Sequence, residues 1–137
     1  MLAAKAVRAT WQGRSMVFRG ETDGKAPITI DGETAEGPSP MDTLLLALAG
    51  CTGSDVVEIL RKKRLALREL RIDVTGTRRE EYPRRYTAID LVYRVSAAGA
   101  TEQHVRQAID LSLRKYCSVT HSLQADIPIH YELVLQA

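Results

Sequence analysis

The side chains best suited to chemistry in this sequence are the two thiols, Cys51 and Cys117. A thiol reacts as its thiolate, and the thiolate needs a cation or a helix N-terminus beside it. Two thiols that meet can do more, because a sulfenic acid formed on one is trapped by the other as a disulfide. Their separation in sequence does not decide whether they meet, since a loop of that length can close. The bland alternative is a pair of small buried hydrophobes, a common fate of free cysteine. A zinc site needs about four ligands, and Cys51, Cys117 and His121 offer three residues without CxxC or HxxxH spacing. A cysteine hydrolase would pair Cys117 with His121 or His104, but no third group that orients the histidine is evident. His104 and His130 read as structural or surface residues. Asp55 and Glu58 follow Cys51 on its own face of a helix. Unpaired, they would raise the pKa of the thiol. Paired with an arginine, they would hold that arginine in position.

The elements that must place these thiols can be read from periodicity. Residues 5–11, 15–19 and 27–31 form three short strands divided by Gln12-Gly13 and by the Asp23-Gly24 turn signal. Ser39-Pro40 opens a helix that runs to about Lys63, with Ser39 as cap and Pro40 in its first position. Its first half, TLLLALAGC, is apolar on every side, which marks a buried helix. Gly50 and Gly53 flank Cys51 and point to close approach of another element. Strands follow at 70–77 and 86–96, joined by a loop containing Pro83. In the second of them Ile89, Leu91, Tyr93 and Val95 line one side. Thr101 caps a second helix that ends near Cys117, which leaves Cys117 as the more exposed thiol. A last strand spans 127–135. The order βββ-α-ββ-α-β predicts an α+β fold in a single domain, 1–137. The all-apolar helix must be wrapped by sheet or covered by a second copy of the chain, which predicts a homodimer.

Composition narrows the function. The net charge is +2 and the basic clusters are answered by nearby acids, so they read as a solvated face. No aromatic platform for single-stranded nucleic acid is interleaved with them. The N-terminus lacks a signal-peptide pattern. The longest apolar run, Leu44 to Ala49, falls short of the roughly 20 residues that span a bilayer. The expectation is a cytoplasmic protein with neither nucleic-acid nor membrane partner, in a compartment where a permanent disulfide is unfavoured.

Two segments carry a resemblance. EGPSPMDTLLLALAGCTGSDVVEIL resembles the central-helix motif of the OsmC/Ohr family (osmotically inducible protein C and organic hydroperoxide resistance). KYCSVTHSL resembles that family's second cysteine motif. Both occur in the expected order, and the pattern of elements matches over essentially the whole chain. The resemblance implies antiparallel sheets wrapped around a buried central helix in an intertwined homodimer, with active sites at the dimer interface. It also implies a thiol peroxidase acting on organic hydroperoxides and less well on hydrogen peroxide, in oxidative-stress defence. Cys51 matches the peroxidatic thiol and Cys117 the resolving one. Their disulfide would be reduced by an external dithiol of lipoyl type, and no metal or bound organic cofactor is required.

The match departs from the family pattern at the group that activates the thiol. The family glutamate that orients an active-site arginine falls at Met41, with Asp42 beside it. The family arginine is best matched by Arg19, with Arg14 as second choice. Asp42, Asp55 and Glu58 are the candidates to orient it. The proline that follows the resolving cysteine is Ser118. These departures resemble the less characterised OsmC-like branch. They keep two alternatives in view, a protein that binds a small apolar ligand and a thiol redox sensor.

Overall fold

The computed structural model describes residues 3–136. The described residues fall into two compact units, with the boundary between Leu44 and Leu45. In the first unit β1 (Arg8–Trp11), β2 (Val17–Glu21) and β3 (Ile28–Asp31) form the anticipated antiparallel meander, in the order β1-β2-β3. Gly13 and Ser15 both take positive φ, 79° and 44°, in the β1–β2 turn. Trp11 Nε1 donates to the Ser15 carbonyl across that turn at 3.0 Å. Period-two alternation gives the sheet two unlike faces. Val17 and Asp31, paired in register, are buried on one face. Trp11, Phe18 and Ile28 are exposed on the other.

Helix α1 (Pro40–Lys62) begins in the first unit and continues into the second. Its start is a capping box. Ser39 Oγ accepts the Asp42 N–H and Asp42 Oδ2 accepts the Ser39 N–H, each at 3.0 Å. The second unit continues with β4 (Ala66–Arg78), β5 (Tyr86–Ala98) and α2 (Glu102–Leu111). A π-helical turn (Ser112–Tyr116), α3 (Ser118–Ser122) and β6 (Ile129–Gln136) complete it. Thr101 caps α2 as anticipated, and His104 completes that cap by accepting the Thr101 N–H on Nδ1 at 3.1 Å.

The second sheet has the order β4-β5-β6. One pairing corrects the expectation of wholly antiparallel sheets, because β6 runs parallel to β5. Two strands joined by a tight hairpin must be antiparallel, but here three helical segments carry the chain back to the starting edge, as in a βα-crossover. The inward face of β5 is the predicted one, with Ile89, Leu91, Tyr93 and Val95 all buried.

The buried residues of α1 are Leu48, Thr52, Gly53, Val56 and Leu60, a single stripe at helical spacing. A Cβ on Gly53 would stand 3.1 Å from Ile72 Cδ1, which is the close approach its glycine signalled; Gly50 faces open space. The helix that reads as apolar all round is thus covered on one stripe, while Leu44 and Leu46 stay exposed. The expectation that no segment is apolar enough to span a bilayer is also corrected. By length and composition alone α1 is such a helix, with a mean hydropathy of 1.6. An unbroken aliphatic run undercounts it, because Gly, Ser and Thr interrupt the run without lowering the window mean greatly.

Gly76 of β4 is closely packed against β5. A Cβ there would overlap the ring of the buried Tyr86 across the β4–β5 pair. Gly76→Ala is expected to lower stability by about 1–3 kcal/mol, the usual range for overpacking. Urea unfolding checks it, and an unchanged midpoint would contradict the packing described.

Candidate thiol site

The fold brings the two cysteines together. Cys51 lies on α1 and is half-buried, Cys117 closes the π-helical turn and is fully buried, and both are free thiols. Cys51 is near enough to the Cys117 sulfur to act on its protonation. The burial order reverses the expectation that Cys117 would be the more exposed. After the π turn the chain does not leave for solvent but turns into α3, and Cys117 is that helix's N-cap. Its sulfur accepts the Thr120 N–H at 3.4 Å.

Burial is the largest influence on the Cys117 thiol and pushes its pKa up. The Thr120 hydroxyl and N–H pull the other way, and the neighbouring Cys51 adds to the rise. Thr120 Oγ1 is buried without a partner in good hydrogen-bond geometry. Cys117 is therefore a thiol that keeps its proton at neutral pH.

A buried hydroxyl network runs beneath the pair. Thr52 Oγ1 and Tyr93 Oη lie 2.8 Å apart, Ser112 Oγ lies 2.8 Å from Thr52 Oγ1, and Ser112 Oγ lies 2.7 Å from Asp55 Oδ2. Thr52, Tyr93 and Ser112 are all fully buried. Burial pushes the Tyr93 phenol well above its ordinary range, against the opposing influence of its hydrogen bond with Thr52. The edge of the Tyr131 ring meets Tyr93 in a T-shaped contact, and Tyr131 Oη donates to Asp110 Oδ1 at 2.8 Å. That bond is separate from the hydroxyl network and joins β6 to α2.

The remaining predicted residues each have a local partner. Arg19 lies on β2 and its Nε donates to Glu21 Oε1 at 2.8 Å. Arg14, the second choice, lies in the β1–β2 turn and is gripped at both ends by Glu36, with Nε–Oε2 at 2.8 Å and Nη2–Oε1 at 2.5 Å. The loop carrying Glu36 is fixed by buried Asp31, whose carboxylate accepts the N–H groups of Glu33, Ala35 and Glu36 at 2.8, 3.1 and 3.0 Å. Those N–H groups, Glu33 first, hold the Asp31 carboxyl below its usual range. Of the acids proposed to orient an arginine, Asp42 is engaged in the α1 cap and Asp55 accepts from Ser112. Glu58 lies 3.6 Å from Arg61 and 3.7 Å from Lys62 on the exposed side of α1. Among the described residues Arg14 and Glu36 form a bidentate arginine–glutamate pair, a geometry that fixes a guanidinium's orientation as well as its charge.

Sequence reasoning missed Thr52, Ser112, Tyr93, Thr120 and Glu36. Thr52 carried a readable signal, because it interrupts the stripe Leu48, Val56, Leu60 with a hydroxyl that must find a partner once buried. No group of three or more His, Cys, Asp or Glu that could hold a metal occurs among the described residues.

The family described as OsmC-like protein matches residues 32–132 of this chain. Protein YhfA of Escherichia coli K12 is 38% identical over 130 residues, covering 93% of this chain and 96% of YhfA. The crystal structure of an OsmC-like protein from Mycoplasma pneumoniae superposes with a TM-score of 0.85, covering all of both chains at 22% identity. The organic hydroperoxide resistance protein OhrB of Bacillus subtilis shares the fold at a TM-score of 0.64, with 13% identity over 98% of this chain and all of OhrB. The mixed α+β fold is thus an OsmC-type architecture. The protein belongs to the OsmC-like family. Membership supports a role in stress defence or redox chemistry.

The raised pKa values set the alkaline behaviour of the fold. In the unfolded chain Cys and Tyr lose their protons near pH 8.5 and 10, whereas folded Cys117 and Tyr93 hold theirs to higher pH. Above about pH 8.5 the unfolded state binds fewer protons than the native state, so stability falls as pH rises. The urea midpoint is expected to be highest below pH 8.5 and to decline through pH 10.5. Cys117→Ser should flatten the earlier part of that decline, and a midpoint that rises over this range would contradict the assignment.

Proposed function

We propose that the protein is a thiol-dependent hydroperoxide reductase in which Cys51 is the peroxidatic residue and Cys117 the resolving one. The observation that carries this reading is the meeting of two free thiols from distant parts of the chain, one half-exposed and one buried and protonated. The Cys51 thiolate attacks the terminal oxygen of the hydroperoxide. The O–O bond breaks, a Cys51 sulfenic acid forms, and the alkoxide leaves, becoming the alcohol by taking up the proton that Cys51 released on ionising. The Cys117 thiol then displaces hydroxide from the Cys51 sulfur. Its proton leaves with the hydroxide as water, and the Cys51–Cys117 disulfide remains. An external dithiol, of lipoyl type or similar, reduces the disulfide and is itself oxidised.

As activating cation, Arg19 is the residue favoured by sequence, and Arg14, the second choice, has a bidentate hold on Glu36. The exposed apolar residues of the β1–β3 sheet and of α1 support a homodimer, since a partner copy would cover Trp11, Phe18, Ile28 and Leu46. Sedimentation at twice the chain mass is the expected outcome, and a monomer at micromolar concentration would count against it.

Cumene hydroperoxide or tert-butyl hydroperoxide in slight excess should consume both thiols stoichiometrically, with steady turnover when dihydrolipoamide is supplied. Cys51→Ser should abolish peroxide consumption. Cys117→Ser should allow one oxidation and then stall at a sulfenic acid that dimedone traps. A Cys51→Ser protein that consumes peroxide at the native rate would overturn the assignment.

A second reading, binding of a small apolar ligand, draws on a cleft of about 350 Å³ lined by Ile59, Leu111 and Tyr116 under a rim that includes Lys62 and Lys63. That volume lies at the lower end for small-molecule sites. A ligand retained in native mass spectrometry, with thiols inert to hydroperoxide, would favour it over the enzyme.

A further inference from the structure

We propose that Ser112 is a positioning residue for the cysteine pair, holding the Cys117 segment by its carbonyl and the Cys51 turn of α1 by its hydroxyl. The proposal rests on the reading of Cys51 and Cys117 as a resolving pair, and it concerns how they are brought into register.

Ser112 is fully buried at the point where α2 gives way to the π-helical turn. Its carbonyl accepts the Cys117 N–H at 2.7 Å, the five-residue bond that defines such a turn. A π turn inserts one extra residue, and each residue of a helix rotates the chain by about 100°. The residue that closes the turn therefore faces a different way from one in continuous α-helix. The Ser112 carbonyl thus helps set the direction in which Cys117 presents its sulfur.

The Ser112 hydroxyl points to the other partner. It lies 2.8 Å from Thr52 Oγ1, next in sequence to Cys51, and 2.7 Å from Asp55 Oδ2, one helical turn beyond Cys51. A hydroxyl has one proton to give, and a carboxylate can only accept. Ser112 therefore donates to Asp55, Thr52 donates to Ser112, and Tyr93 donates to Thr52. Every hydroxyl donates once, and the chain ends on a charge. The phenol keeps its proton well above neutral pH, so the direction of the chain persists there. Through this one residue the two cysteine-bearing segments are tied at two atoms.

Disulfide closure is sensitive to that tie. A disulfide requires narrow limits on Cα separation and torsion, and the advantage of a neighbouring thiol over one in solution depends on orientation. Ser112→Ala removes the tie on the α1 side and leaves Thr52 with an unused proton in the core. Asp55→Ala removes the acceptor. Asp55→Asn keeps a carbonyl oxygen there and should retain most of the effect.

The test uses the full-length protein in buffers of reduced and oxidised glutathione, with the Cys51–Cys117 disulfide read by alkylation and mass spectrometry. The effective concentration of one thiol at the other is expected to fall about tenfold in Ser112→Ala and Asp55→Ala, the equivalent of one charge-assisted hydrogen bond. Asp55→Asn should stay within about threefold of the native protein. After a peroxide pulse, the loss should fall on disulfide closure rather than on sulfenic acid formation. A general loss of stability would not produce this split in protein that remains folded. Equal effective concentrations in the native protein and Ser112→Ala would overturn the proposal, as would failure of the native pair to form a disulfide in oxidised glutathione. If Ser112→Ala does not fold, the Asp55→Ala and Asp55→Asn comparison decides. Peroxide inertness with an intact tenfold glutathione effect would sink the peroxidase reading and leave the positioning role standing.

Discussion

The thiol site depends on a hydroxyl buried in an apolar stripe. Thr52 sits among Leu48, Val56 and Leu60 on the covered side of α1. A hydroxyl there is costly unless it is bonded. Its partners are Tyr93 on β5 and Ser112 at the end of α2, and few placements of the helix satisfy both. Apolar packing alone tolerates sliding and rotation, because dispersion and area burial are nearly indifferent to direction. The hydroxyl chain is directional, and it helps pin the turn of α1 that bears Cys51 in one register over the sheet.

Much of the fold was legible because its signals are local. The Asp-Gly turn, the alternation of Ile89 to Val95, the Ser39-Pro40 start and the Thr101 cap each rest on interactions within a few residues. All four appear where periodicity and capping chemistry put them. What escaped depends on distant partners. The parallel course of β6 follows from how the crossover returns to the sheet, which no residue pattern near β6 encodes. The burial of Cys117 follows from α3, a five-residue helix whose cap is the cysteine itself. Sulfur is not among the usual capping atoms, so the signal was not one to look for.

The candidate site divides along the same line. Motif resemblance identified the two cysteines, and the structure brings them together. Of the acids singled out for an arginine clamp, Asp42 was named for its place beside Met41 and Asp55 and Glu58 for their spacing from Cys51; Asp42 bonds within its cap and Asp55 accepts from Ser112. The clamp geometry appears instead at Arg14 and Glu36, with Glu36 held in place by the backbone grip of Asp31. A glutamate in a loop has no periodicity to announce it. Only the folded loop shows that its reach matches a guanidinium.

The parallel β5–β6 pairing has a consequence for the order of assembly. The β4–β5 ladder closes through a short hairpin and costs little loop entropy. Pairing of β6 must wait for the whole segment between Ala98 and Ile129, and such non-local contacts form slowly. Cys117 lies within that segment, so its meeting with Cys51 belongs to the same slow class of long-range contacts.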